Sequence, residues 1–502
     1  MEEVAGIMSN QQPFCLHPDN PRYFLFRSQP RVLVCATEHY GSVVNRAFDF
    51  ERYLDDGADK GQTLTRLFLL FRELQTPRNP SSPCKPESPD YLAPWQRVGP
   101  GLALDGEPIY DLDRWDEDYF ARLRRFLTLA SARGIVVELT LFSNTYADEI
   151  WALNPLRAAN NVNGVGNVEW QDYTSLTDPT LVERQQAYAR RVVRETHAFD
   201  NVYYEVCNEP GGGHGGHVTP REVDAWQETI AATVRDEEAT LPYKHLIFWS
   251  QAFTYHPHWE QPLDVSFSNP AFDAVNVHPL PDTVYRGRRY MLGRFMGRDL
   301  ALSEIRDFCL AASAEPKPCI LDEDNSASMY RDDIGWTIHR KRAWTAVLSG
   351  CHYDYIDFAI TVGRETGTEE SRRKIRAWMG HLSAFIRDVD VVHARPTTDW
   401  IRIDTEEVIV TGLGIPGHAY AAYVADCREV GDSGLGRPLS PTVELDLPPG
   451  HYVVSIYSPV TGLHSPSVAV DGGHPYVVAL VPFVHDVVIV AGQPQYLGER
   501  IR

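Results

Sequence analysis

Two glutamates in this sequence each lie at the end of an apolar, strand-like run. Glu209 follows the run 202–207, and Glu323 lies near the end of the run 318–324. A strand that is apolar on both faces is typical of a parallel sheet covered by helices. Chemistry in α/β barrels takes place where such strands end at their carboxyl side. Both glutamates are therefore candidates for catalysis, although each one alone is explained equally well as a solvated residue at a strand end.

Two carboxyl groups on either side of one bond are the arrangement that glycoside hydrolysis requires. One group gives a proton to the leaving oxygen, and the other attacks the anomeric carbon or directs water at it. The two groups must titrate differently, so one needs a nearby positive charge and the other a desolvated position. Arg66 is the candidate for that charge because it interrupts the apolar run 63–71, and a buried arginine needs a carboxylate partner.

The elements that would position these residues alternate along the chain. Strand-like runs begin near residues 31, 63, 135, 202, 245, 272, 318 and 353, and amphipathic helical patterns separate most of them. Eight such units over about 360 residues predict an α/β fold, a (β/α)8 or TIM barrel, over residues 31–394. Glu209 then ends strand four and Glu323 ends strand seven, on roughly opposite sides of the barrel mouth.

The chain changes character on both sides of this predicted barrel. Residues 1–30 are interpreted as an irregular segment, with a strand or a lid at the barrel bottom as open alternatives. From residue 395 to residue 502, short strand-like runs alternate with Pro and Gly turns and no long helical period remains. This pattern predicts a small all-β sandwich domain. Inside the barrel, the long loops 72–112 and 143–178 are expected to be either functional or disordered, as loops of this length usually are.

Composition narrows the range of partners. The 502 residues include 47 basic and 68 acidic side chains, which give a net charge of −21. Like charges repel, so neither nucleic acid nor an anionic membrane is expected as a partner. A neutral, hydroxyl-rich oligosaccharide or glycoside suits this charge better. No cofactor and no metal are expected, and the sequence leaves the oligomeric state open.

Cysteine usage and the first residues of the chain bear on location. The eight cysteines include no C-x-x-C pair, and several lie in apolar runs, which favours a reducing compartment. The first residues carry acids and lack the apolar core of a secretory signal, and no apolar run approaches the roughly 20 residues that span a bilayer. A cytoplasmic protein is therefore expected.

These residues together resemble a known superfamily. Asn208-Glu209 followed by proline on strand four, Glu323 ending strand seven and Arg66 inside strand two are similar to the retaining (β/α)8 glycoside hydrolases of the clan A type. That superfamily carries its catalytic glutamates on strands four and seven, and the resemblance covers about residues 30–390. It implies that Glu209 is the acid/base, that Glu323 is the nucleophile, that Asn208 binds the hydroxyl beside the reacting carbon and that Arg66 contacts the nucleophile.

The resemblance also includes a departure at strand six. His278 matches the histidine that is common at the end of this strand, but the tyrosine often found two residues later is replaced by Pro279-Leu280. The phenolic partner of the nucleophile is therefore expected to be missing or to come from elsewhere, with Tyr285 and Tyr255 as candidates.

Other residues near strand ends are candidates for substrate binding. Glu38 and His39 end strand one, and Asp354 lies on strand eight; hydrogen bonding within the core or a loop explains them equally well. Tryptophans are candidate platforms for sugar faces, because apolar C–H groups pack on aromatic rings, with packing in a loop as the equal alternative. These are Trp95, Trp151, Trp170, Trp249 and Trp336.

Three acidic residues near the glutamate pair are expected to have structural roles and not catalytic ones. Asp322 and Asp324 flank Glu323, and strand alternation predicts that both face away from it toward neighbouring loops. Glu205 lies four residues before Glu209 and so points into the same interior, where it is interpreted as the partner of a buried arginine.

The predicted function is an O-glycosyl hydrolase of carbohydrate metabolism that works by a retaining double displacement. A metal-dependent barrel hydrolase or isomerase using His278, Glu209, Glu323 and Asp354 is one alternative, but only His39 and His278 clearly end strands, and such sites usually have more histidines. A non-catalytic carbohydrate-binding protein is the other alternative, although it has no need for both glutamates. A transglycosylase would share every residue named.

Overall fold

The centre of the structure is a parallel sheet of eight strands that curves into a barrel. The computed structural model describes residues 12–73, 84–211, 213–214, 217–255, 263–281, 283–293, 300–330, 332–428 and 430–497. In chain order the barrel strands are Val34–Thr37, Leu64–Phe68, Val136–Ser143, Val202–Asn208, Ile247–Ser250, Ala274–Val277, Cys319–Asp324 and His352–Ile356. We refer to them as barrel strands one to eight.

Each barrel strand pairs with its neighbours in the chain order that a TIM barrel requires. Hydrogen-bonded pairing runs from strand two through strand eight and on to strand one. Strands one and two are joined by backbone hydrogen bonds from Thr63 to Val34 at 3.2 Å and from Phe68 to His39 at 3.1 Å. The predicted fold, a TIM barrel followed by an all-β domain, is confirmed, and the strands begin close to the positions that the apolar runs predicted.

Helices follow the barrel strands and cover the outside of the barrel. Local sequence sets several of their starts: Thr219 and Glu222 form a reciprocal capping box, and Asp178 caps a helix that begins with Pro179. Within the described ranges, no helix combines the length and the apolar character needed to cross a bilayer. The principal helices are Phe50–Asp59, Glu117–Ala132, Pro179–Thr196, Pro220–Glu238, Asp264–Ser268, Leu302–Ala312, Asp332–Leu348 and Ala377–Arg387, the last preceded by Glu369–Ser371 and a π-helical turn, Arg372–Arg376.

The two long loops inside the barrel carry structure of their own. The first contains an antiparallel hairpin of strands Trp95–Leu102 and Pro108–Trp115. The second contains a short helix, Asp148–Trp151, and two single 3₁₀ turns. Smaller strand pairs occur elsewhere at the barrel mouth: Gly213–His214 with Thr254–Tyr255, and Thr283–Tyr285 with Arg288–Tyr290.

The described part of the segment before the barrel is a small sheet at the barrel bottom, which agrees with the strand that was left open for residues 1–30 and not with an irregular segment. Strands Cys15–Leu16, Phe24–Phe26 and Gln29–Arg31 form an antiparallel meander. Phe14, together with the aromatic side chains of the middle strand, packs on residues that begin the barrel strands, including Tyr203. An apolar barrel end needs such a cover, which is why this segment is ordered. Residues 1–11 lie outside the described residues.

The carboxyl-terminal part of the chain is built from two antiparallel sheets with an apolar core between them. The larger sheet contains the strands Arg395–Pro396, Val408–Ile415, Ala419–Asp426, His451–Ser458, Leu463–His464, Val468–Asp471 and Asp486–Gly492. The smaller sheet contains Ile401–Ile403, Val443–Leu445 and Tyr476–Val478.

The outer face of the larger sheet packs on the barrel helix Asp332–Leu348. The ring of Trp344 stacks on the ring of Tyr423 with centroids 5.6 Å apart. Beside this contact, Arg340 donates two hydrogen bonds of 2.9 Å to the carboxylate of Asp486, and the Tyr423 hydroxyl donates to the same carboxylate at 2.8 Å. All of these side chains are buried, so the ion pair joins the two parts of the chain in a water-poor environment.

Asp486→Ala should therefore destabilise the protein strongly, because it leaves the Arg340 guanidinium buried without its carboxylate. Removing one partner of a buried ion pair costs about 3–5 kcal/mol. The matched control is Asp446→Ala, which removes a half-exposed carboxylate 3.4 Å from Arg402 and should change the free energy of unfolding by less than about 1 kcal/mol. Urea unfolding of both variants checks this, and equal midpoints would contradict the role of the buried pair.

Candidate active site

The ends of the barrel strands converge on one buried arginine. Arg66, on strand two, has no exposed surface. Its long side chain is surrounded by carboxylates, and their charges outweigh the effect of burial and raise its pKa further. The predicted carboxylate partners of Arg66 are thus present, and Glu205 pairs with it as interpreted. The nearest approaches are Glu323 at 2.5 Å, Glu205 at 2.7 Å, Asp322 at 3.1 Å and Glu138 at 3.7 Å.

A local irregularity in strand seven brings Glu323 to the arginine. The pairing of strand seven with strand eight shifts register between Leu321 and Asp324, and Glu323 has a left-handed backbone with φ of 50°. The expectation that Asp322 faces away from Glu323 is therefore wrong, because the inserted residue breaks the alternation and both side chains reach Arg66. Asp324 does turn away, and it accepts a hydrogen bond from Arg342 at 2.6 Å.

Glu209 lies just beyond strand four on a backbone that is also left-handed, with φ of 45°. Left-handed φ values are uncommon outside glycine and persist where the surrounding structure holds them. Two donors hold its carboxylate: His278 Nδ1 at 2.9 Å on Oε1 and the Tyr146 hydroxyl at 2.7 Å on Oε2. The side chain of Glu209 is 15% exposed and that of Glu323 is 7% exposed, so Glu209 is the more open of the two.

Hydrogen bonds connect the two glutamates through a continuous path. Arg66 contacts Glu323 and donates from Nη2 to Asn208 Oδ1 at 2.9 Å. Asn208 Nδ2 donates to the Tyr146 hydroxyl at 2.7 Å, and that hydroxyl donates to Glu209. The structure thus brings together both predicted catalytic residues and the predicted Asn208 and Arg66 in one network at the mouth of the barrel.

The surroundings of Glu323 keep it ionised. Burial by itself raises the pKa of this carboxyl group, but the neighbouring cations His39, Arg66 and His278 lower it to about 2. His39 is itself held as a cation, because the nearby Asp354 carboxylate outweighs burial and raises the pKa of the imidazole to about 9. His39 Nε2 lies 2.9 Å from Asp354 Oδ2, and His39 Nδ1 lies 3.6 Å from Glu323 Oε2.

His278 occupies the other side of the site, at the end of strand six as predicted. Burial lowers the pKa of its imidazole, but the neighbouring carboxylates of Asp322, Glu209 and Glu323 raise that pKa well above its usual range. The cationic ring therefore donates to Glu209, and its Nε2 lies 3.6 Å from Asp322 Oδ2.

Glu38, predicted to bind substrate, is engaged by its own loop. Its Oε2 accepts the backbone N–H groups of Tyr40 at 2.9 Å and Gly41 at 3.0 Å, and its Oε1 accepts the Ser42 hydroxyl. The carboxylate thus closes the turn after strand one, which places His39 beside Arg66.

The predicted tryptophan platforms are mostly core residues. Trp249 is 2% exposed, and its indole N–H donates to Asp224 at 2.9 Å, so its ring faces away from the open cleft. Trp170 differs, because it is only partly buried and its carbonyl accepts the Thr145 hydroxyl beside Tyr146. The other three tryptophans are also buried: Trp95, Trp151 and Trp336.

The sequence interpretation missed Tyr146, which the second long loop supplies. Tyr285, one of the two proposed phenolic groups, instead donates to Glu315 at 2.5 Å, and the side chain of Tyr255 lies outside the described part of the structure. The ring of Tyr146 meets Phe71 and Phe253 edge-on, with centroids 6.3 Å and 6.0 Å away. The feature of the sequence that could have identified Tyr146 as a site residue is its position three residues after strand three.

Within the part of the chain that the structure describes, the atoms of Glu205, His278 and Asp322 lie within 4.8 Å of one another, a spacing that suits a metal ion. The charge and the hydrogen bonds around these three residues disfavour a bound metal ion. Arg66 already places a positive charge against both carboxylates, and the oxygens of Glu205 also accept the hydroxyls of Thr140 and Ser250. This donor set shares only His278 with the metal-dependent alternative, which called for His278, Glu209, Glu323 and Asp354.

Comparison with known proteins places this fold among glycoside hydrolases. A family described as a domain of unknown function, DUF6298, matches residues 85–206, about a quarter of the chain. A search of curated proteins finds no match. A solved structure described as a glycoside hydrolase is 13% identical, with a TM-score of 0.60, and covers 97% of this chain and 98% of its own.

Two further solved structures share the same architecture. A glycoside hydrolase family 5 protein from Bacteroides vulgatus is 12% identical, with a TM-score of 0.61 over 97% of this chain and 95% of its own. An endo-1,4-β-mannanase from Rhizomucor miehei is 11% identical, with a TM-score of 0.53 over 74% of this chain and all of its own. The protein therefore shares the overall fold of these solved glycoside hydrolases.

Arg66→Met should destabilise the protein most at neutral pH, because it leaves several buried carboxylates without their cation. We expect a loss of about 3–5 kcal/mol at pH 7.5. Glu323, whose folded-state pKa lies below the ordinary 4.5, stabilises the native state above that pH and loses this contribution as the pH falls toward 2. The Tm difference between Arg66→Met and the unmodified protein should therefore narrow at pH 4, which thermal unfolding at both pH values checks.

The matched control is Arg122→Met. Arg122 donates to the backbone carbonyls of Ser42, Val43, Asn45 and Phe48. Burial and the charge of Arg125 lower the pKa of Arg122 only to about 10, so its charge does not change between pH 4 and pH 7.5. Its Tm deficit should therefore be the same at both pH values. A deficit for Arg66→Met that is equally insensitive to pH would contradict the electrostatic account.

Proposed function

We propose that this protein is a retaining glycoside hydrolase that cleaves O-glycosidic bonds through a covalent glycosyl-enzyme intermediate. The observation that carries the proposal is the path from Glu323 through Arg66, Asn208 and Tyr146 to Glu209. This path joins the ionised carboxylate of Glu323 to the more exposed carboxyl group of Glu209. Both lie at the mouth of the barrel, where enzymes of this fold carry out their chemistry. The fold shared with solved glycoside hydrolases supports the same reading.

In the first step, an oxygen of Glu323 forms a bond to the anomeric carbon while the bond from that carbon to the leaving oxygen breaks. Glu209 gives its proton to the leaving oxygen. This geometry requires carboxyl groups about 5 Å apart. The charges of Arg66 and His39 keep Glu323 ionised before attack.

In the second step, water replaces Glu323 at the anomeric carbon. Glu209, now ionised, takes a proton from that water as its oxygen bonds to carbon, and Glu323 leaves as a carboxylate. Each displacement inverts the carbon once, so the product retains the configuration of the substrate. Donation from His278 and Tyr146 fits the ionised form of Glu209 that this step needs.

The remaining residues have supporting roles in this proposal. Asn208 presents its amide beside Glu209 and binds the hydroxyl next to the reacting carbon. Asp354 holds His39 in place and charged. Trp170, on the partly exposed edge of the second long loop, is the retained candidate for a platform under a sugar ring. The substrate is an oligosaccharide or glycoside without charge, in keeping with the acidity of the chain.

Glu323→Gln should reduce kcat on aryl glycosides by about a thousandfold or more, because the amide cannot form the covalent intermediate. The matched control is Glu369→Gln, a change at an exposed residue in the short helix Glu369–Ser371. This variant should keep full activity. Steady-state rates across a panel of aryl glycosides of different sugars provide the measurement. A loss of less than about tenfold for Glu323→Gln would contradict the nucleophile assignment.

Glu209→Ala should lose most activity, and added azide should restore part of the rate on substrates with good leaving groups, which form the glycosyl-enzyme without a proton from Glu209. The small anion occupies the space of the missing carboxylate and attacks the glycosyl-enzyme without needing a base. The expected product is a glycosyl azide of retained configuration, identified by NMR. If neither azide nor formate raises the rate on a dinitrophenyl glycoside, the acid/base assignment fails.

A further inference from the structure

Building on the proposed function, we infer that Tyr146 is a positioning residue that orients the acid/base Glu209 and couples it to Asn208. The tyrosine that the resembling superfamily often carries after strand six partners the nucleophile, and in this chain that position falls in Pro279-Leu280. Tyr146 comes from the loop after strand three and contacts the acid/base instead.

The direction of each hydrogen bond around Tyr146 is fixed by chemistry. Arg66 has only donors, so Asn208 must turn Oδ1 toward it, and the Nδ2 of Asn208 must face Tyr146. The phenolic oxygen therefore accepts from Asn208, and its single proton is directed to Glu209 Oε2 at 2.7 Å. A polarised chain of donors thus runs from Arg66 to Glu209.

Local contacts favour this arrangement of Tyr146. The residue has a left-handed φ of 50°, its backbone N–H donates to Asn144 Oδ1 at 3.3 Å, and its partly exposed ring meets Phe71 and Phe253 edge-on. Burial, together with the charges of Glu209 and Glu323, raises the pKa of Tyr146 well above its usual range. The hydroxyl therefore remains a donor at every pH at which the enzyme would work.

Glu209 is consequently held between two donors, with His278 on one oxygen and Tyr146 on the other. Both favour the ionised carboxylate, and together they fix the plane from which the proton is given or taken. The other titratable groups that face this pair are Glu323 and Tyr40, whose electrostatic effects reach Tyr146. If the substrate's hydroxyl reorients Asn208, that change is transmitted directly to the acid/base through the phenol.

Tyr146→Phe tests the inference through its dependence on the leaving group. For aryl glycosides with poor leaving groups, which need a proton in the first step, kcat/KM should fall about tenfold or more. For a dinitrophenyl glycoside, which needs no proton, the fall should be under about threefold. Because the phenol acts on the acid/base and not on the substrate, the loss should appear in kcat with KM nearly unchanged.

The matched control is Tyr173→Phe. Tyr173 is a buried tyrosine of the same loop that packs on Trp151, with ring centroids 5.1 Å apart, and its replacement should change neither the leaving-group dependence nor kcat. A Tyr146→Phe variant that slows all leaving groups equally would overturn the inference while leaving the glycosidase proposal intact.

A structural measurement separates this inference from the proposed function. In a crystal structure of Tyr146→Phe, the Glu209 carboxylate should rotate away from its present position while Arg66 and Glu323 stay in contact. An unmoved Glu209 would overturn the positioning role even if no glycoside is turned over. Full activity of Glu323→Gln, by contrast, would overturn the proposed function and not the hydrogen-bond role of Tyr146.

Discussion

One buried guanidinium sets the arrangement of this site. Arg66 can be buried only because carboxylates from strands three, four and seven surround it, since an unpaired internal charge is very costly. The carboxylates in turn need the arginine, because several negative charges at this spacing repel one another. This mutual requirement brings the carboxyl ends of distant strands together at the barrel mouth.

The two glutamates differ because their neighbours differ. Glu323 lies within the cationic group formed by Arg66, His39 and His278, which overcomes burial and lowers its pKa. Glu209 lies at the more exposed side, held by His278 and by the neutral Tyr146 hydroxyl. Both glutamates and Tyr146 occupy left-handed backbone, so these three residues carry local backbone strain that the network holds in place.

The barrel was predictable because its signals are local. Apolar runs bounded by polar turns located all eight strands within a few residues, and the strand order then placed Glu209 and Glu323 at one rim. Arg66 was recognisable as a charge in an otherwise apolar strand. The hairpin Trp95–Leu102 with Pro108–Trp115 was not recognised, because its strands lie among Pro and Gly residues and do not alternate cleanly.

The sequence by itself thus determined the fold class, the strand that carries each glutamate and the need of Arg66 for carboxylates, because periodicity and buried charge act over short stretches. Only the tertiary structure decided where individual side chains point. A one-residue register shift turned Asp322 inward beside Glu323, and a non-periodic loop brought Tyr146 to Glu209. Such outcomes depend on contacts between segments far apart in the chain, which no local pattern encodes.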